Sequence, residues 1–511
     1  MGRDHGGCPL AHAVVDPDKL VPMAVPMLVP TRLDARARWR ARRSTILTVL
    51  LAVALSALVG IAMVKLGTVQ RELKAVLIIV AGIAMVTAAL RPRIGLTMLL
   101  VLMPFEYGFS GVGTDEVLII SLALVLAWRI HWRAIPPWAS IGGGALVLGG
   151  FIAAIGAYNQ AEALWGAVRW LGVMVILFAA FAVLRDRRDA SRRMIDIFTG
   201  SAVVVVVFAF AQKAGIYTLV GPPKEGSTLP ASFFGYYTAY SGYVAIAATL
   251  ATGECLIALS ARQRLRALIY GAALFVTLLG TVISTSRGGF LALGCGWLLL
   301  LAFNVRRGPV FVRGVIILLI FAGAAYIAAP RSDLVKLEQR LSGAHGSVRG
   351  EDQTRFALQK VGERALGEYP AGLGYGNFSN YLRANVRSEK IHIAFFHAHE
   401  TPVQIGLDAG WLGLAGFLIL WGWPIGLVIA RGSGGLSTVR ASACAAALGG
   451  LMAQGLFDYL FYEIAFLAFF AALVWGTWHA LSVDSLRVKT RPRDGDLPNH
   501  HHHPSPVIAA R

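Results

Sequence analysis

The sequence predicts an all-α polytopic membrane protein, and three observations predict it. Hydrophobic residues make up 56% of the chain and charged residues only 15%. The mean hydropathy is +0.63. Apolar runs long enough to cross a bilayer recur along the chain, separated by short loops whose basic content alternates. A soluble chain of 511 residues could not cover that much apolar surface. In hydrocarbon, a helix satisfies its own backbone.

From the N-terminus, residues 1–43 show no signal-peptide pattern. The piece KLVPMAVPMLVP is broken by prolines every few residues and cannot form a clean helix. RLDARARWRARR follows and is strongly basic, so 1–43 reads as a flexible basic cytoplasmic tail. Transmembrane helices 1 to 11 are expected within 44–329, at 45–64, 75–90, 94–109, 116–130, 141–157, 163–184, 194–217, 233–259, 267–285, 288–304 and 310–329. Residues 330–402 form one long loop with helices of its own. Helices 12 to 14 follow within 403–482, at 403–430, 440–457 and 462–482. Residues 483–511 read as a disordered cytoplasmic tail, whose histidine run 500–503 gets no assigned role. The total is about fourteen spans, or twelve if the short second to fourth are miscounted.

The loops give the orientation. RPR (91–93), RIHWR (129–133), RDRRDASRR (185–193), ARQRLR (261–266), NVRRGPVFVR (304–313), RGSGGLSTVR (431–440) and RVKTRPR (487–493) fall on one side. FEYGFSGVGTDE (105–116), AYNQAEA (157–163) and FDYLFYE (457–463) fall on the other and hold no Lys or Arg. This positive-inside pattern puts both termini in the cytoplasm and 330–402 outside. KLGTVQRELK (65–74) is the one exception. The net charge of +19 is thus mostly topological, and no nucleic-acid partner is expected. Cys8, Cys255, Cys295 and Cys444 are scattered with no CxxC pair, which implies neither a zinc site nor a disulfide framework.

The outer loop is too long for a plain connector. QTRFALQKVGERALGEYP has helical periodicity and stops before a proline. Charges then collect at the outer face, where each is costly and so a functional candidate. Arg169 lies about two turns below the outer end of its span; snorkelling to the interface is the bland alternative. Arg287 sits in the turn STSRGG, where lipid headgroups are the alternative partner. His397, His399 and Glu400 enter the twelfth span in FFHAHETPVQIGLDAGWLGL. Two arginines suit a diphosphate, because guanidinium matches phosphate oxygens two at a time. A histidine near its own pKa can take a proton from a hydroxyl. No DxD stands at the outer face and HAHE is not a zinc spacing, so no metal and no cofactor are expected; arginines supply the charge stabilisation.

Three pieces together resemble the O-antigen ligase and O-antigen polymerase superfamily. STSRGG at 284–289 resembles its Ser-Arg-Gly-Gly turn. YPAGLGYGNF at 369–378 resembles its Pro-x-x-Gly-x-Gly-x-x-x-Phe loop. HETPVQIGLDAGWLGL at 399–414 resembles its His-Asn, nine residues, Gly-x-x-Gly segment, with Glu400 where the family usually has Asn, Ser or Gln. The resemblance spans roughly 195–430. It implies a bacterial inner-membrane glycosyltransferase with its active site facing the periplasm. The donor would be an undecaprenyl-diphosphate-linked oligosaccharide, and the acceptor a second glycan or lipid A–core.

By that resemblance His399 is the base, with Glu400 orienting it or sharing the role. Arg287 and Arg169 hold the diphosphate, with His397 beside it. Gly374 and Gly376 let the loop backbone approach the sugar. The span count favours a polysaccharide polymerase for exopolysaccharide or O-antigen, with flippase and chain-length regulator proteins as partners. A ligase is the alternative. A transporter would instead show inverted repeats and charges spread through the mid-membrane, and a scaffold would not depend on Arg287 or His399.

Overall fold

A computed structural model describes residues 82–83, 85–104, 114–216, 229–232, 234, 236–342, 346–386, 397–431 and 435–489. The described elements are helical. Two short helices come first, α1 (Pro92–Leu102) and α2 (Thr114–Ala127). A run of long ones follows: α3 (Pro137–Ile155), α4 (Gln160–Leu184), α5 (Ala190–Lys213), α6 (Tyr237–Ser260), α7 (Arg264–Ser284), α8 (Arg287–Asn304) and α9 (Gly308–Ala328). The loop helices are α10 (Arg331–Leu341), α11 (Gly346–Glu368) and α12 (Phe378–Asn385). The chain then closes with α13 (Thr401–Arg431), α14 (Leu436–Gly455) and α15 (Ile464–Lys489).

Among the described residues, ten helices are long and apolar enough to cross a membrane: α3 to α9 and α13 to α15. They correspond to the fifth to fourteenth expected spans. The third and fourth expected spans appear as the shorter α1 and α2, of 11 and 14 residues. The first span, half of the second (its residues 82–83 and 85–90 are described and helical), the basic exception at 65–74, the N-terminal tail and the histidine run lie outside the described residues.

Small residues set the packing, as they do where lipid is as apolar as the protein. α3 and α13 are the most extensively packed pair. A Cβ on Gly149 would sit 2.3 Å from the Ala409 carbonyl, and one on Gly416 would sit 2.4 Å from that of Gly142. α6, rich in Ala, Gly, Ser and Thr, is the hub: its span is 94% buried, against 22% for the peripheral α9. Glu254, fully buried on α6, would be prohibitive alone. Arg440 of α14 binds both its carboxylate oxygens and Arg266 of α7 lies 3.2 Å away, tying three helices at one end.

The loop builds a second, smaller core from Leu358, Leu366, Leu373, Phe378, Tyr381 and Leu407. α11 stops at Glu368, just before Pro370, where the periodicity places the end. The loop then docks on a break in α13. Gly410 has φ 67° and ψ −177°, so the helix unwinds there. Leu373 and Gly374 donate to the Leu407 carbonyl at 2.6 and 3.1 Å, and Trp411 N–H donates to Pro370 O at 3.1 Å.

Candidate active site

The STSRGG turn is a helix start. Thr285 takes a left-handed φ of 48° after α7, and Ser286 caps α8 by accepting from Gly289 N at 3.3 Å. Arg287 therefore opens α8. A cation there adds to the positive end of the helix dipole instead of opposing it, so the position asks for an anion. Asp352 of α11 supplies one, its two carboxylate oxygens accepting from Arg287 Nη1 and Nη2 at 2.8 and 2.6 Å. The guanidinium holds the Asp352 carboxyl below its usual range against the opposing effect of burial.

Arg287 faces a cavity of about 510 Å³ between the N-terminal ends of α6 and α8, the loop helices and the α14–α15 turn. Three arginines line it: Arg287, Arg340 of α10 and Arg355 of α11. Arg340 donates to the Tyr237 hydroxyl at 3.1 Å and lies 5.2 Å from that ring's centroid. Arg355 donates to the Phe457 carbonyl at 3.4 Å. Asp352, His399 and Asp458 also line it, together with Tyr237, Thr238, Ser286 and Gln359.

His399 sits in a left-handed conformation with φ 56°, uncommon outside glycine but best tolerated by Asn, Asp and His. Its Nδ1 is 3.5 Å from Asp458 Oδ1. Burial alone would raise the Asp458 pKa, but the hydrogen bond from His399 and the charge of Arg355 bring it down to about 2. The histidine segment is pinned from beneath. Ala398 N–H donates to Gln404 Oε1 at 2.8 Å, Gln404 donates to Asp408 at 2.7 Å, and Tyr459 donates to the other Asp408 oxygen at 2.9 Å. Thr401 donates to the Asp458 carbonyl at 3.1 Å.

The other expected site residues lie around this cavity without lining it. His397 packs its ring 4.3 Å from that of His399 and stacks on Tyr462 at 5.5 Å. Burial and the neighbouring His399 push its pKa down to about 3. Glu400 is raised by burial and by Glu363, with a hydrogen bond to Gln359 opposing, so its neighbours lie on α11. Arg169 is buried in α4, bonded to the Tyr375 hydroxyl and, at 2.8 Å, to the Tyr462 carbonyl; its guanidinium lies 4.9 Å from the Tyr375 centroid. It anchors the glycine loop. Gly374 and Gly376, with φ of 83° and 73°, press against Ala163 and Glu162 of α4. The close approach expected of these glycines is thus seen toward the protein itself.

The metal question has one candidate among the described residues: donor atoms of His397, His399 and Asp458 lie within 4.8 Å of one another. Bonds of about 2.0–2.1 Å in a tetrahedral site set donors roughly 3.3 Å apart. An ion would have to draw this group inward.

Sequence reasoning missed Asp352, Arg340, Arg355 and Asp458. Asp458 had one cue, as an acid in a loop with no Lys or Arg. Residues 272–418 match the family model described as O-antigen ligase. The match covers well under half of the chain, but it holds the α7–α8 turn, the loop helices, the glycine loop and the HAHE segment. It bears out the resemblance read from the sequence and supports a membrane enzyme of the O-antigen ligase and polymerase type. No curated protein matches the chain.

Proposed function

We propose that the protein is a metal-independent membrane glycosyltransferase, joining undecaprenyl-diphosphate-linked repeat units into a surface polysaccharide at the periplasmic face of the inner membrane. The observation that carries this reading is one cavity lined by three arginines and a His399–Asp458 pair. The arginines suit a donor diphosphate. The acceptor hydroxyl gives its proton to His399 while its oxygen attacks the anomeric carbon from the face opposite the diphosphate. The carbon–oxygen bond to the diphosphate breaks, and its electron pair leaves with the lipid diphosphate, whose charge falls on Arg287, Arg340 and Arg355. The anomeric centre inverts. Asp458, ionised at neutral pH, holds the imidazole and stabilises the imidazolium that forms. Arg169, Gly374 and Gly376 act in this reading by fixing the loop.

A second reading is favoured by the matched family's description: a ligase, with the same chemistry and lipid A–core as acceptor. The test uses purified protein with a synthetic undecaprenyl-diphosphate oligosaccharide, following donor binding and product separately with each acceptor. His399→Asn, which suits the left-handed backbone, should bind donor normally and turn over ~10²–10⁴-fold more slowly. Equal loss of binding and turnover would remove His399 as the base. Product on a second lipid-linked unit alone identifies a polymerase, and product on lipid A–core alone a ligase.

A further inference from the structure

Helices α1, α4, α5 and α15 enclose a second cavity, of about 310 Å³, that the reaction does not use. Its wall is apolar, built from Leu96, Leu99, Ile176, Leu177, Met194 and Trp475. Its rim is cationic. Arg93, Arg187 and Arg193 stand there, all exposed, with Asp189 the only acid among the lining residues. Asp189 accepts from Arg193 at 2.7 Å, which leaves the rim with an excess of two positive charges, on Arg93 and Arg187. These arginines belong to two basic stretches, 91–93 and 185–193, at the start of α1 and around the α4–α5 turn, that the charge pattern puts on the side opposite the sugar cavity.

The two halves of the cavity ask for different things. A soluble anion would answer the rim and leave the apolar slot in contact with water. A neutral lipid would fill the slot and leave the two charges unanswered. One molecule satisfies both: an acyl chain along Leu99, Ile176 and Trp475, and a phosphate across Arg93 and Arg187. We infer that this cavity binds a single anionic phospholipid, which ties α1 to the bundle.

The full chain, purified in detergent, is titrated with phosphatidylglycerol and, separately, with phosphatidylcholine of the same acyl chains. Thermal unfolding and native mass spectrometry report binding. Phosphatidylglycerol should raise the unfolding midpoint and remain bound as one copy; an equal response to phosphatidylcholine overturns the inference. The double variant Arg93→Gln/Arg187→Gln should need at least about ten-fold more phosphatidylglycerol, because each basic residue near an anionic lipid contributes a several-fold attraction. Arg306→Gln, an exposed arginine in the α8–α9 turn, is the charge control and should bind as the parent does. Ala472→Phe fills the wall without touching the rim and should abolish binding. Unchanged affinity in either the double variant or Ala472→Phe overturns the site. A photoreactive residue at Leu100 reports the occupant directly: capture of phosphatidylglycerol supports the inference, and capture of this chain's own residues 45–64 overturns it.

Discussion

Replacing Asp352 with asparagine should make the protein bind its donor more tightly, because the carboxylate stands where a phosphate oxygen would bind. Arg287 holds Asp352 through two bonds of 2.6 and 2.8 Å. A donor diphosphate that uses Arg287 must first displace that carboxylate, which stays ionised at neutral pH. The two side chains are 31% and 36% exposed, so solvent weakens their attraction and the pair is worth about 0.5–1 kcal/mol. At that strength Arg287 is available in only ~15–30% of molecules, and the apparent Kd is ~3–6-fold weaker than the intrinsic one. Asp352→Asn should recover that factor. The assay is equilibrium binding of a synthetic undecaprenyl-diphosphate oligosaccharide to protein in nanodiscs, at two salt concentrations. The advantage of the variant should shrink at high salt, where the parent's ion pair is itself screened. Unchanged or weaker binding by Asp352→Asn, at unchanged thermal stability, would refute the displacement argument.

Arg169→Gln separates an anchor from a ligand: loss of the bonds to Tyr375 and Tyr462 should cost about 3 kcal/mol and lower the unfolding midpoint. A variant of normal stability that failed only in donor binding would put Arg169 on the diphosphate instead. His397 gives a pH signature. Unfolded, it takes a proton below about pH 6.5, whereas in the fold burial delays this to about 3. Between those values the unfolded chain binds more protons, so stability falls as pH falls, by about 1.6 kcal/mol from 6.5 to 5. His397→Gln should flatten that slope in melting curves, and an unchanged slope would assign it to other groups. Reporter fusions at Ser347 and after Leu486 should give periplasmic and cytoplasmic signals respectively; a cytoplasmic signal at Ser347 would reverse the proposed orientation.

The spans from 141 onward were legible because an apolar run of that length has few other fates. α11 was legible from its periodicity and the proline that ends it. The contents of the cavity were legible only where an ionisable group stood out against apolar surroundings, as Arg287 and His399 do. Arg340, Arg355 and Asp352 lie on polar loop helices, where an arginine or aspartate is ordinary and nothing local says which face is turned to Arg287. Asp458 meets His399 from the α14–α15 turn, about sixty residues further along the chain, a pairing that no spacing encodes. Arg169 was conspicuous as a charge inside a span, yet its partners Tyr375 and Tyr462 are far along the chain. The glycines of the 369–378 loop announced a close approach. What they approach, the start of α4, is a property of the packed bundle.

The unwound turn at Gly410 bears on how the chain is made. Hydrocarbon gives no partner to a carbonyl that has left its helix. The groups that answer this break, Leu373, Gly374 and Pro370, all precede α13 in the chain. During synthesis they leave the ribosome first, so the segment that answers the break is made before the span that needs it. Were the order reversed, α13 would have to rest in the bilayer with its break uncovered until the loop arrived. The direction of translation therefore places the partner of this interrupted span ahead of it in the order of synthesis.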